Sequence, residues 1–219
     1  MRLALFDLDH TLLSGDSDVL WCEFLIAQGI VDRASFAQRN ADMEARYKTG
    51  TVGVQEFADF YVGTLAGRTP LEWEPVRQAF FAQSIVPNVP QTAIDLVNQH
   101  RQAGDLVVMT TATNRFITEL TAAYFRIEHL IATETQLQDG RFTGQTTGTL
   151  NMREGKVTRL HAWLAARGAQ FTDYATTAYS DSINDLPLLQ LVNMPVAVNP
   201  DAKLLAIAQK AAWPVIYLR

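Results

Sequence analysis

The residues best suited to chemistry come early in the chain. An apolar run, Leu3-Ala4-Leu5-Phe6, gives way to Asp7-Leu8-Asp9-His10-Thr11. Side chains alternate between faces along a strand, so carboxylates at i and i+2 share a side. Two carboxylates held that close repel, and one is driven to protonate unless a cation lies between them. A strand buried on both faces stays apolar throughout, so this charged tip belongs in a polar cleft. In open parallel sheets, ligands bind in the crevice beyond the carboxyl ends of the strands. The spacing Asp-x-Asp-x-Thr therefore reads as a metal-assisted phosphate site with a carboxylate nucleophile. A plain polar turn uses the same residue types, so the reading depends on partners elsewhere.

Three further stretches qualify. Residues 106–109 form a short buried strand, and Thr110-Thr111-Ala112-Thr113-Asn114 leads from it into a helix. Hydroxyls and free N–H groups at a helix N-terminus cradle phosphate, and Thr and Asn there also serve as simple N-caps. Lys156 follows Gly155 at the start of a helix over 155–167, where a cation opposes the helix dipole. A fixed ammonium there offsets carboxylate repulsion and holds a phosphate oxygen, although a single lysine is ordinarily solvated. The strand over 175–179 runs into Ser180-Asp181-Ser182-Ile183-Asn184-Asp185. Asp181 at its tip is in reach of a metal, and Asp185 suits the start of the following helix, as an ordinary capping acid also would. Asp, Thr and Asp at three strand tips, with a lysine, are better explained as one site.

The elements that must carry these residues fall into two kinds. Residues 16–85 read as helices. Asp16 or Ser17 caps one that stops at Gly29, and Asp32 opens a second running to Lys48 before Gly50. A third includes Phe57, Phe60, Tyr61 and Leu65, and Thr69-Pro70 opens a fourth toward Ile85. The second has few large apolar side chains (Phe36, Met43, Tyr47) and is expected on the outside, with Arg39, Arg46 and Lys48 solvated. Aromatic residues at helical spacing supply a small helical core. Beyond Pro87-Asn88-Val89-Pro90, helices over 93–102, 115–125, 155–167, 183–191 and 201–210 alternate with strands over 106–109, 130–132, 175–179, 196–198 and 215–218. Asp139-Gly140 is a hairpin turn between Leu137 and Phe142. This alternation specifies βαβ units. The expected fold is α/β, a three-layer, Rossmann-like, mainly parallel sheet over residues 1–15 and 87–219, with a helical insertion over 16–86.

Composition narrows the partners. The net charge of −5 argues against a basic nucleic-acid footprint, so an anionic substrate must be met by local charges and a metal. One cysteine, Cys22, precludes an intrachain disulfide or a cysteine zinc site, and its apolar setting marks a buried thiol. No apolar stretch is long enough to span a bilayer, and the short N-terminal apolar run ending in acids is unlike a signal peptide. A cytoplasmic protein without a membrane partner is expected. His100, His129 and His161 lack metal-ligand spacing, and His10 reads as a loop residue beside the cleft.

Taken together, the four stretches closely resemble the motifs of the haloacid dehalogenase superfamily of phosphatases, across the whole core. Asp7-Leu8-Asp9-His10-Thr11 is similar to the first motif, Thr111 to the second, Lys156 to the third, and Asp181 with Asp185 to the fourth. Ser-Asp-Ser-x-Asn-Asp-Leu-Pro-Leu-Leu at 180–189 resembles the phosphoserine-phosphatase-like branch (subclass IB), whose helical C1 cap domain matches the insertion. The resemblance implies a phosphomonoesterase for a small phosphorylated metabolite, with Asp7 as nucleophile, Asp9 as general acid/base, Thr111 on the phosphate and Lys156 steadying the nucleophile. Asp7, the Asp9 carbonyl and Asp181 would hold Mg²⁺, with Thr11, Asn184 and Asp185 supporting them.

One departure bears on the substrate. Phosphoserine phosphatases of this branch carry a glutamate soon after the first motif to meet the substrate amine, whereas here residues 12–18 read Leu-Leu-Ser-Gly-Asp-Ser-Asp and the first glutamate is Glu23. Asp16 and Asp18 are the candidates for that contact or for capping the helix, and Asn114 is a further substrate candidate. The Gly-Asp-Ser-Asp loop resembles suspected histidinol-phosphate phosphatases, so an aminoalcohol phosphate is the expected substrate. Phosphoserine hydrolysis, phosphoryl transfer to another alcohol, and non-catalytic phospho-ligand binding are the alternatives. A receiver-type domain also gathers acids, Thr and Lys, but it needs about half this length and no insertion.

Overall fold

The computed structural model describes residues 1–218, apart from the side chains of Ser35 and Lys48, so the expectation for Lys48 lies outside the described residues. The strands are β1 (Arg2–Phe6), β2 (Leu106–Asn114), β3 (His129–Gln138), β4 (Arg141–Thr147), β5 (Ala175–Ser180), β6 (Met194–Val198) and β7 (Val215–Ile216). They form one sheet in the order β4-β3-β2-β1-β5-β6-β7. Every pairing is parallel except the β3–β4 hairpin, which closes around Leu137 opposite Phe142. The chain first builds outward from β1 through β2, then returns to add β5 on the other side. The strand order therefore reverses at β1, and that is where a crevice opens beyond the carboxyl ends.

Four helices follow β1: α1 (Ser17–Ala27), α2 (Arg33–Thr49), α3 (Val54–Val62) and α4 (Pro70–Phe80). They close on an aromatic cluster in which Trp21 lies 5.1 Å from Phe80 and 5.5 Å from Trp73, ring centre to ring centre. Each buried indole N–H finds an acceptor, Thr64 Oγ1 for Trp21 and the Leu65 carbonyl for Trp73, both at 2.9 Å. Thr69 and Glu72 cap α4 reciprocally, with Pro70 in its first turn. The helix expected to reach Ile85 ends at Phe80 and widens into a π-helical turn over Phe81–Ile85. Pro87 explains the change, because it offers no N–H and crowds the turn before it. Where the chain leaves and rejoins the sheet, the Ser14 N–H meets the Asn88 carbonyl at 2.8 Å.

The remaining helices are α5 (Gln91–Gln102), α6 (Arg115–Tyr124), α7 (Glu154–Ala165), α8 (Leu186–Leu191) and α9 (Ala202–Lys210). Alternation along β1 sorts them into layers. Ala4 and Phe6 face a cluster with Ala93 and Val97 of α5, Ile117 and Ala122 of α6, and the aromatics of the insertion. Leu3 and Leu5 face the opposite cluster, with Leu160 and Leu164 of α7, Leu188 and Leu189 of α8, and Leu204 of α9. β2 runs through the threonines to Asn114 instead of stopping at residue 109, since β-branched residues favour extended backbone. β3 is likewise longer than expected, β7 is shorter, and the helix expected over 183–191 begins as a 3₁₀ turn over Ile183–Asp185. No helix among the described residues is long and apolar enough to cross a membrane.

Candidate active site

The register sets the site level. Phe6 pairs with Met109 on one side and Tyr179 on the other, so the residues just beyond them crowd the same edge of the sheet. Asp7 continues the ladder by one bond, its N–H donating to the Tyr179 carbonyl at 3.0 Å. The chain then coils tightly, with the N–H groups of Thr11, Leu12 and Leu13 all directed at the Leu8 carbonyl. His10 takes a left-handed backbone (φ 56°) in this coil, and its carbonyl accepts from Asn199 Nδ2 at 3.1 Å.

Asp7 is almost wholly enclosed. Its Oδ1 accepts from Lys156 Nζ at 2.7 Å and its Oδ2 from Thr11 Oγ1 at 3.2 Å. Burial pushes its carboxyl up to about 7 against the pull of Lys156, with Asp185 and Asp9 adding to the rise. Lys156, in the first turn of α7, also donates to Asp185 Oδ2 at 2.6 Å, an oxygen that Ser180 Oγ reaches at 2.7 Å. Burial disfavours the ammonium, but the pairs with Asp185 and Asp7 overturn that and hold its pKa above the ordinary value. Thr11 ties in the third strand tip, since its hydroxyl accepts the Asp181 N–H at 3.0 Å and lies 3.3 Å from Asp181 Oδ1. Burial, then Asp7 and Asp185, raise Asp181 well above the usual carboxylate range.

The approach to Lys156 is tight. A Cβ on Gly155 would stand 2.0 Å from the Leu150 carbonyl oxygen, a contact relieved only by moving the start of α7. Gly155→Ala is therefore expected to cost about 1–3 kcal/mol, the usual range for overpacking, and to lower kcat by displacing the ammonium from Asp7. Unchanged melting temperature and unchanged kcat would show that α7 absorbs the methyl group.

Asp9 turns the other way. Its Oδ1 accepts the Ser17 N–H at 2.7 Å, and its Oδ2 accepts from Thr113 Oγ1 at 3.0 Å and Thr111 Oγ1 at 3.3 Å. Thr111 is fully buried, while Ala112 and Thr113 line the cavity beside Asp7, Asp9, Lys156 and Asp181. That inner cavity has a volume of about 30 Å³, room for only a few waters. A chamber of about 500 Å³ adjoins it, sharing His10, Asp16, Tyr47, Asp181, Ser182 and Asn184. The chamber is thus the larger space from which the cavity at Asp7 continues.

Other expected residues are placed differently. Asp16 caps α1, its Oδ1 accepting the N–H groups of Asp18 and Val19, and it also lines both cavities. Burial and then Asp9 push its carboxyl up to about 8. Asp18, expected as a substrate contact, is buried behind the wall on Thr113 and lines neither cavity. Burial, Asp16 and Asp9 raise its carboxyl well above the usual range. Asn114 also lines neither cavity, because its Oδ1 is used to cap α6 at the Ile117 N–H. Asn184 lines the cavities and accepts from Arg153 Nε at 3.2 Å. Arg39 lies over the Phe36 and Phe60 rings, and Arg46 makes a bidentate pair with Glu56 on the surface. His100 bridges Asp105 and Tyr179, while His129 and His161 pack beside Trp163 and Phe171.

Thr113 and Tyr47 are among the lining residues that the sequence does not single out. Thr113 shares the strand face of Thr111, a period-two relation visible in the sequence. Tyr47 belongs to α2, which was expected outside; its ring lies 4.5 Å from that of Phe57, tilted by 30°, and both line the inner cavity. The one local signal was Met43, buried a helical turn earlier on the same face.

The donor chemistry suits a hard divalent cation. Lys156 is paired with Asp7 and Asp185, and Asp9 and Asp181 bring two further carboxyl groups to the same cavity, so a cation there would relieve the repulsion that raises Asp7 and Asp181. Among the described residues no three His, Cys, Asp or Glu side chains converge as a ready-made cage. Two carboxylates plus a backbone carbonyl are instead the sparse oxygen set with which Mg²⁺ keeps several waters and shares a site with phosphate.

The chain is similar to known proteins over nearly its whole length. Residues 4–190 match the haloacid dehalogenase-like hydrolase family. The chain is 41% identical over 217 residues to a histidinol-phosphatase from Neisseria meningitidis serogroup C (strain 8013), covering 98% of each. Its fold superposes with a TM-score of 0.95 on a Bordetella pertussis Tohama I protein of unknown function, at 45% identity over 100% of this chain and 99% of that one. It also shares its fold with a phosphoserine phosphatase solved as a phospho-aspartyl intermediate analogue, at a TM-score of 0.71 and 16% identity over 100% and 93% of the two chains. The family match and the 41% identical relative together show that the chain belongs to the haloacid dehalogenase-like hydrolases and is a phosphatase.

Proposed function

We propose that the protein is a Mg²⁺-dependent phosphomonoesterase that works through an aspartyl phosphate on Asp7 and acts on a cationic aminoalcohol phosphate, histidinol phosphate first among them. The observation that carries the mechanism is the Asp7 carboxylate, which lines the inner cavity while Lys156 holds one of its oxygens at 2.7 Å. Residues 1–15 and 87–219 form the catalytic core in this reading, and 16–86 the cap. Asp7, the Asp9 carbonyl and Asp181 would hold Mg²⁺, which would supply charge neutralisation for the attack of one anion on another. An Asp7 oxygen forms the new bond to phosphorus in line with the departing ester oxygen. Asp9 gives its proton to that oxygen, then takes one from the water that cleaves the acyl phosphate and frees Asp7. Asp9→Ala is expected to lower kcat by about 10²–10⁴-fold, as single-turnover measurements would reveal.

The substrate proposal is supported by the wall opposite. Asp16 lines the chamber, and although burial and Asp9 push its carboxyl up, a cationic group beside it would favour the ionised form and pair with it. The Tyr47 and Phe57 rings, tilted 30° to each other, offer aromatic surface for a heterocycle. Asp16→Asn is expected to raise KM for histidinol phosphate about tenfold or more, the worth of a charged hydrogen bond, and to leave a neutral ester such as glycerol phosphate nearly unchanged. Equal effects on both would remove Asp16 from substrate recognition. The decisive assay is phosphate release from histidinol phosphate, phosphoserine, sugar phosphates and nucleotides, with Mg²⁺ and after chelation. The expected result is metal-dependent turnover with the highest kcat/KM for histidinol phosphate; a preference for phosphoserine or a sugar phosphate would overturn the substrate proposal.

A further inference from the structure

Behind Asp9 lies a cluster that the mechanism above does not use. Thr113 Oγ1 is in hydrogen-bond contact with three side-chain oxygens: Asp9 Oδ2 at 3.0 Å, Asp18 Oδ2 at 3.0 Å and Ser17 Oγ at 3.2 Å. Ser17 donates its own proton to this oxygen. Thr113 has only one proton to give, so it can serve one of the two carboxyl groups. If both were carboxylates, two oxygens would face each other with no hydrogen between them.

The surroundings decide which group needs the donor. Asp9 already collects the Ser17 N–H at 2.7 Å and the Thr111 hydroxyl at 3.3 Å, and it lines the cavity. Asp18 is only 3% exposed, and its Oδ1 has no hydrogen-bond partner. An ionised carboxylate in that position would be stranded, whereas a carboxylic acid needs to place only its one proton. That proton has a destination in Thr113 Oγ1, which leaves the Thr113 proton for Asp9.

We infer that Asp18 and Thr113 are positioning residues for Asp9: Asp18, as a carboxylic acid, donates to Thr113, and this fixes the Thr113 hydroxyl proton on Asp9 Oδ2 and holds that carboxyl at the cavity wall. The inference rests on Asp9 being the general acid of the proposed mechanism. Asp18 lines neither cavity, and Thr113 lines the inner one with its hydroxyl engaged by Asp9, Asp18 and Ser17. Both act through the orientation of Asp9, so their effect appears only where Asp9 is needed. The departing oxygen of an alkyl phosphate requires a proton, while that of p-nitrophenyl phosphate leaves without one. Because kcat/KM reports the steps through the first P–O cleavage, comparison of the two esters isolates the acid step.

The test measures kcat/KM for histidinol phosphate and for p-nitrophenyl phosphate in Thr113→Val, Thr113→Ser and Asp18→Asn, beside Asp9→Ala, alone and combined with Thr113→Val. Thr113→Val is expected to lose about 10–100-fold on the alkyl ester, a share of the full acid–base contribution, and little on p-nitrophenyl phosphate. Thr113→Ser restores the hydroxyl and should lie near wild type. Asp18→Asn should too, because its amide N–H donates to Thr113 in place of the acid. In the Asp9→Ala background Thr113→Val should add nothing. Equal losses on both esters, a failure of serine or asparagine to rescue, or additive losses without Asp9 would each overturn the inference. If Asp9→Ala itself leaves the alkyl ester unaffected, the acid–base reading fails. If it does not and Thr113→Val is silent, only the positioning role fails.

Discussion

Replacing Asp7 with asparagine is expected to cut turnover by at least about 10⁴-fold, the scale seen when a nucleophile is removed, with little change in fold. The amide nearly matches the carboxylate in shape, so Thr11 and the β1–β5 bond keep their places. What disappears is the carboxylate at the tip of β1 that faces the inner cavity and is held by Lys156 at 2.7 Å. Acid quenching during turnover should trap phosphate on the wild-type protein in a hydroxylamine-labile form, and none on the variant. Purified Asp7→Asn protein that still releases phosphate at a substantial rate would remove Asp7 from the nucleophile role and redirect attention to direct attack by water.

Lys156→Met carries the second large effect, this time on stability as well as rate. The lysine is 2% exposed and lies between Asp7 and Asp185. Removing one member of a buried ion pair typically costs about 3–5 kcal/mol, because a charge is left uncompensated. For a chain of this size that corresponds to a drop of about 6–20 °C in melting temperature. The loss should depend on pH. Asp7 titrates near 7 in the folded protein against 3.8 for the ordinary group, because burial outweighs the ammonium. A carboxyl raised on folding binds its proton more tightly in the native state, so its contribution is fully present below about 4 and is lost as pH rises toward the folded value. Without the ammonium that upper value moves higher still. The deficit of the variant, measured free of metal, should therefore be small near pH 4 and grow through pH 7 and beyond. A deficit independent of pH would mean that Lys156 matters for packing rather than charge.

The legible parts of the fold and site share a cause. β1 announces itself by alternation and by the abrupt change from Phe6 to Asp7, and both are local features. Asp181, Asp185 and Lys156 were visible because each stands at a strand tip or helix start where a charge needs a reason. What stayed hidden depends on contacts between distant segments. The strand continuing to Asn114 is sustained by pairing with β3, whose register slips between Thr111 and Asn114, and nothing in Thr-Thr-Ala-Thr-Asn specifies that slip. The same slip turns Asn114 into a helix cap while Thr113 stays at the wall. Tyr47 was hidden by its polar neighbours on α2, since its inward position is created by Phe57 from another helix. Asp18 resembled a substrate contact because the sequence shows its charge but not its burial.

The hydrogen bond between Ser14 and Asn88 has a consequence for how such a protein can change over generations. The two ends of the inserted helices leave the sheet side by side, 2.8 Å apart from nitrogen to oxygen. Closing the chain across that gap requires almost no length, so the entropic cost of swapping one insert for another grows only slowly with its size. The strand tips that hold Asp7 and Asp181 and the helix start that holds Lys156 belong to segments outside the graft. Selection can therefore rewrite the chamber around Tyr47 and Asp16 while leaving the hydrolytic apparatus as it stands. What a new graft must reproduce is narrow: an apolar underside for the face of Phe6 and, at its first turn, the backbone N–H that Ser17 offers to Asp9.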